Sequence, residues 1–157
     1  MNQQQRESSP TAGGMTTAYQ LNLRHLRALL AVNENGSISA ATEAVNLSQP
    51  ALTQGILKLE KQLGEVLFER RSDGMVPTSA GDIVLERATA CMRHLTSGGR
   101  LIAGAEFEPD RRLTMSQLRA FIGLFKAGSF TAAANELGLS QAAVHRGVRE
   151  LEDAVGR

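Results

Sequence analysis

The segment Leu47-Ser48-Gln49-Pro50-Ala51-Leu52-Thr53-Gln54-Gly55-Ile56-Leu57-Lys58-Leu59-Glu60 decides the fold. Ser48 is placed to cap a helix by accepting a free backbone N–H of the first turn, and Pro50 follows inside that turn, where a missing N–H costs least. Leu52, Ile56, Leu59 and Leu63 then recur at helical spacing, and Gly64 is a stop signal. The back of this helix is apolar. Its N-terminal front carries Gln49, Pro50, Thr53 and Gln54, which have no reason to be buried.

Working outward, Leu23, Leu26, Leu29 and Leu30 share one face of a helix ending near Gly36. Ser37 caps a short second helix, Ser39 to Val45, that buries Ile38, Ala41 and Val45. Downstream the period changes. Val66 to Glu69 reads as a short extended stretch, Arg70 to Gly74 as a polar turn and Met75 to Pro77 as a return strand, the outline of a wing. Thr78 caps a longer helix running to about Leu95, on which Val84, Ala88, Cys91 and Leu95 form an apolar seam at heptad-like spacing. Such a seam calls for a partner, and a dimer is expected there.

Leu113 to Gly156 aligns without gaps on Leu21 to Gly64 at a shift of about 92 residues. Leu26-Arg27-Ala28 recurs as Leu118-Arg119-Ala120, Gly36-Ser37 as Gly128-Ser129, and Leu47-Ser48-Gln49 as Leu139-Ser140-Gln141. Val144, Val148, Leu151 and Val155 stand where Leu52, Ile56, Leu59 and Leu63 stood. The expected organisation is a flexible tail over residues 1–20, with Met15 an alternative start, and a winged helix-turn-helix unit over 21–77. A linker and dimerisation helix (78–95), a Gly-containing connector (96–112) and a second, truncated helix-turn-helix unit (113–157) follow. The fold class is mainly all-α, with one small two-stranded wing.

Composition narrows the function. No apolar run approaches membrane-spanning length and no secretory signal is visible in the first twenty residues, so no membrane association is expected and the expected compartment is the cytoplasm. The single Cys91 cannot form an internal disulfide. Cys91 and His94 are spaced as two metal ligands on a helix, but no third or fourth is near in sequence, and a packed seam cysteine is the preferred reading. Aromatic content of 4% argues against a base-stacking surface for single strands. A net charge of +1 does not by itself suggest nucleic acid. His25 reads as a surface or satisfied histidine. No phosphate-binding loop, nucleophile elbow or paired-carboxylate arrangement is present, so neither an enzyme nor a cofactor is expected.

Five fragments in order, Leu23-Arg24-His25-Leu26-Arg27-Ala28-Leu29, Gly36-Ser37-Ile38-Ser39-Ala40-Ala41, Leu47 to Glu60, Leu63-Gly64-Glu65-Val66-Leu67-Phe68-Glu69-Arg70 and Thr78-Ser79-Ala80-Gly81, resemble the N-terminal DNA-binding domain of LysR-type transcriptional regulators. The resemblance covers Leu23 to about Leu95 in full and Met115 to Gly156 as a partial second copy. It implies a sequence-specific, duplex-DNA-binding regulator that pairs as a homodimer through the linker helix. Two helices joined by a tight turn brace a third whose polar front enters the major groove. Ser48, Gln49, Pro50, Thr53, Gln54 and Lys58 are the candidates there; Gln can fork onto adenine, and Thr can meet a base, a thymine methyl or a phosphate.

On the wing, Arg70 and Arg71 are the available cations, while Asp73 stands where the family commonly has a basic residue. For Arg70 a salt bridge closing the wing weighs equally with a DNA contact. In the second copy Ser140, Gln141, His145, Arg146 and Arg149 are the candidates. Arg146 is suited to guanine, and His145, in place of a small hydroxyl, either contacts DNA or hinders approach. Complete family members carry a small-molecule sensor after this domain, so an effector is expected only if one lies beyond Arg157. The alternative function is an antagonist that pairs with intact relatives without binding DNA.

Overall fold

The computed structural model describes residues 19–72 and 74–156. Most of the expected tail, and Asp73, lie outside the described residues.

Helix α1 (Leu23–Asn35) starts at Asn22, whose side chain accepts the Arg24 N–H at 2.8 Å, and stops at Gly36 in the left-handed conformation. Helix α2 (Ile38–Val45) is capped by Ser37 and ended by Asn46, which itself adopts positive φ. Helix α3 (Gln49–Leu63) is capped by Ser48, holds Pro50 in its first turn and ends at Gly64. The three helices close on one core of Leu23, Leu26, Leu29, Val32, Ala41, Leu52, Ile56 and Leu59, all buried.

Strands β1 (Phe68–Arg71) and β2 (Gly74–Pro77) pair antiparallel, with Phe68 opposite Pro77 and Arg71 opposite Gly74. The strand therefore lies two residues later than the Val66 to Glu69 stretch read from sequence. The shift has a local cause: the backbone at Val66 and Leu67 is satisfied by side chains. The Glu60 carboxylate accepts the Leu67 N–H at 2.8 Å, and the Thr78 hydroxyl donates to the Val66 carbonyl at 2.7 Å. Leu67 and Phe68 are buried against the three-helix core, and Met75 N–H donates to the Gly36 carbonyl at 2.8 Å, pinning the wing to the turn between α1 and α2. Gly74, at φ 130°, lies so close to the Gly36 carbonyl that a side chain would collide with it.

Helix α4 (Ser79–Ala103) is capped by Thr78 and runs eight residues past Leu95, through the stretch read as connector. The Gly98-Gly99 pair that suggested a break lies inside the helix. Gly99 is there for packing: the ring of Phe107 folds back onto it and is almost wholly buried, and any side chain at 99 would overlap that ring. After the single turn α5 (Pro109–Arg112), α6 (Met115–Ala127), α7 (Phe130–Leu137) and α8 (Gln141–Ala154) repeat the first three helices. Their lengths are 13, 8 and 14 residues, against 13, 8 and 15. Ser129 and Ser140 cap as Ser37 and Ser48 do, each accepting a backbone N–H three residues on, and Thr114 does so in place of Asn22, which accepts from two residues on. Their own buried cluster is small, Ala120, Ala133, Ala134, Val144 and Val148.

The expected dimer seam faces the other way. Ala88 is buried, and Val84, Cys91 and Leu95 pack, with Leu85 and Met92, onto the chain's own core. A stripe at heptad spacing records that a helix has an apolar face, and here that face is already occupied by α1 and its neighbours. The outward face of α4 carries Ile83, Arg87, His94, Ser97 and Leu101 instead. Among the described residues no helix is long and apolar enough to cross a membrane.

Candidate nucleic-acid interface

Helix α3 is divided as its sequence demands. Leu52, Ile56 and Leu59 are buried behind it, whereas Ser48, Gln49, Pro50, Gln54 and Lys58 are exposed in front and along the outer side. Thr53 is half-buried, and its hydroxyl donates to the Gln49 carbonyl at 2.9 Å. That bond leaves its methyl group and an oxygen lone pair for an outside partner. Leu57, which sequence reasoning passed over, is 57% exposed and extends this face with an apolar surface suited to a thymine methyl.

The seat of α3 against α1 is another feature that sequence reasoning missed. Gly55 sits on the buried side of α3 over His25 and Ala28, and a Cβ there would come within 3.2 Å of the His25 ring. His25 is neither a surface nor a satisfied histidine: its Nδ1 is buried without a hydrogen-bond partner. Burial, and secondarily the charge of Lys58, hold its pKa below the ordinary value, which keeps the ring neutral. A glycine in mid-helix was the available signal, since it costs helix propensity and leaves room for a close neighbour. Gly147 holds the same place in α8, where a Cβ would lie 2.8 Å from that of Ala120.

On the wing, the ion pair falls on Arg71 rather than Arg70. Arg71 meets Glu69 at 3.0 Å, because residues two apart on a strand project to one side. Both groups are more than half exposed, so the pair is weak and readily exchanged for another anion. Arg70 is exposed and makes no ion pair among the described residues.

In α8, Ser140, Gln141, His145, Arg146 and Arg149 are all exposed. The His145 ring is stacked on Phe130, with centroids 3.5 Å apart and planes within 9°. Burial raises the Cys91 thiol pKa and keeps it protonated, and His94 beside it is exposed. Among the described residues no group of three His, Cys, Asp or Glu could hold a metal ion.

The chain matches the family model described as bacterial regulatory helix-turn-helix protein, lysR family, over residues 23–82 and again over 115–157. Among curated relatives, the HTH-type transcriptional regulator GalR of Pseudomonas putida is 34% identical over 136 residues, covering 87% of this chain and 34% of its own. The small neutral protease regulatory protein of Streptomyces coelicolor is 42% identical over 94 residues, covering 58% of this chain and 30% of its own. The chain thus spans about a third of the length of these relatives. Among solved structures, CbnR, a LysR family transcriptional regulator, superposes with a TM-score of 0.50 at 35% identity over 53% of this chain and 30% of that one. The BenM DBD in complex with catB site 1 DNA gives 0.50 at 31% identity over 52% of this chain and 91% of that one. With both three-helix units matched by the same model, the chain belongs to the lysR family of bacterial regulatory helix-turn-helix proteins.

Proposed function

We propose that this chain is a sequence-specific duplex-DNA-binding regulator of transcription, reading its site with the N-terminal front of α3 in the major groove. The observation that carries the reading is the division of that helix. Its back is buried by Leu52, Ile56 and Leu59, and its front presents Gln49, Pro50 and Gln54 to solvent on a rigidly capped first turn. Gln49 and Gln54 supply the donor and acceptor pair that fits an adenine edge, and Thr53 and Leu57 supply apolar contacts to thymine methyls. Lys58 and Arg70 are the phosphate partners; Arg71 joins them by leaving Glu69. The similarity to the BenM DBD, which was solved in complex with DNA, supports DNA binding here.

A homodimer through α4 belongs to this proposal, on a different face from the inward stripe. Ile83, Ala90 and Leu101 lie seven and eleven residues apart, close to whole numbers of helical turns, on the outward side of α4, and a two-fold pairing along it would present two reading helices to an inverted repeat. A gel-shift titration tests the DNA reading. Gln49→Ala is expected to cost about 1–3 kcal/mol at a selected site and to relax base preference there. Equal binding of selected and scrambled duplexes by wild type and variant would contradict it, and no shift by the chain alone is what a purely antagonistic partner would give.

A further inference from the structure

We propose that the second three-helix unit is itself a DNA-reading head, with guanine as its preferred base through Arg146 and a phosphate anchored by Arg149, so that one chain reads two unlike steps. The inference rests on the DNA-binding reading of the first head and extends it to a separate surface.

The front of α8 is built as the front of α3 is. Ser140 Oγ accepts the Ala143 N–H at 3.1 Å as Ser48 Oγ accepts that of Ala51 at 3.4 Å, and Val144 and Val148 are buried where Leu52 and Ile56 are. What differs is the outward chemistry. Arg146 stands at the position of Gln54 and Arg149 at that of Leu57, while Lys58 is replaced by Glu150. Positive charge is gained at the positions of Gln54 and Leu57 and lost at that of Lys58. Both arginines are exposed, and neither makes an ion pair among the described residues, although Glu150 and Asp153 follow four residues behind them. A guanidinium forks onto guanine O6 and N7, whereas a glutamine amide in the same place forks onto adenine.

The obstacle to this head is the bulky ring at position 145, where the first head has Thr53. The structure disposes of it by stacking: His145 lies flat on Phe130, at the first turn of α7. Phe130 replaces Ile38 and supplies the aromatic face that the ring needs. In each head the residue at this position is turned onto its own protein, Thr53 through its hydroxyl and His145 through its ring. The neighbouring side chain, Gln54 or Arg146, is left as the reader.

The test is selection of duplexes from a random pool by the full chain and by Gln49→Ala, Arg146→Gln and an Arg146→Ala/Arg149→Ala double variant. Wild type is expected to enrich two motifs. The double variant should lose the guanine-bearing motif by about tenfold or more while keeping the other, and Gln49→Ala should do the reverse. Arg146→Gln should convert the guanine to adenine, and in a separate gel-shift titration across salt concentrations an Arg149→Ala single variant should lower the slope of log affinity against log salt by about 1. An enriched pool that the double variant leaves unchanged would overturn the second head and leave the first intact. Loss of all enrichment in the double variant, with Gln49→Ala unaffected, would overturn the first head instead. Enrichment of nothing by wild type would overturn both, and circular dichroism of each variant establishes that these exposed positions do not unfold the chain.

Discussion

The two three-helix units cap the starts of their helices with side chains of the same kind, yet the first is roofed more completely than the second, whose Leu118, Leu151 and Val155 are only partly covered. Leu29 in the first is 0% exposed beneath its neighbours, whereas Phe121, its counterpart in the second, is 44% exposed. Leu59 is fully buried and Leu151 only partly so. The first unit is followed by Leu67 and Phe68 of the wing and by the Leu85, Ala88 and Met92 face of α4, which complete its core. Local signals therefore decide where helices start and stop, while burial of the same positions depends on what comes next in the chain.

Four experiments probe the contrast. The largest effect is expected in the roofed core: Leu29→Ala should cost about 2–5 kcal/mol in chemical denaturation. Phe121→Ala should cost about 1–2 kcal/mol, because much of that ring is already in water. Equal losses would mean that the two cores are equally complete. Next, the adjacent glycines of α4 should respond with opposite signs. Gly98→Ala, with nothing within 4 Å of the new methyl, should stabilise by about 0.5–1 kcal/mol. Gly99→Ala must displace the buried Phe107 ring and should cost about 1–3 kcal/mol; melting temperatures of the two variants decide this.

A third contrast is in pH. The folded first head holds His25 below its ordinary pKa of 6.5, so the unfolded state takes up the proton more readily. Stability from this site is full above pH 6.5 and is lost as pH falls from there through the folded pKa. Gln117 holds the equivalent position in the second head and does not titrate. His25→Gln should therefore flatten the pH dependence of unfolding in that window, and an unchanged profile would show that the buried imidazole is not its source. The smallest effect is on the wing: Glu69→Gln releases Arg71 and should tighten DNA binding by about 0.2–1 kcal/mol at low salt, fading as salt rises.

Much of this molecule was legible in its sequence because its helix boundaries are chemical. Ser37, Ser48 and Thr78 cap, and Gly36 and Gly64 stop, as residues of those types do wherever the backbone leaves N–H groups unpaired or needs positive φ. The length of α4 was hidden because Gly98-Gly99 reads as a break, and the docking of Phe107 that requires Gly99 is a contact across a loop. The direction of the Val84 to Leu95 stripe was hidden for a related reason: periodicity reveals an apolar face without naming its partner. On the candidate interface, the exposed glutamines of α3 and arginines of α8 could be read from spacing. The Thr53 back-bond, the Arg71–Glu69 pair and the stacked His145 depend on side-chain rotamers, which spacing does not specify.

The claim on which the rest depends is that the front of α3 lies in a major groove. Gln54→Cys, in a Cys91→Ala background, can be challenged with a selected duplex bearing a disulfide tether on a major-groove adenine. A crosslink is expected from position 54 and none from Ser97→Cys on the outer side of α4. Trapping at position 97 with none at 54 would contradict it.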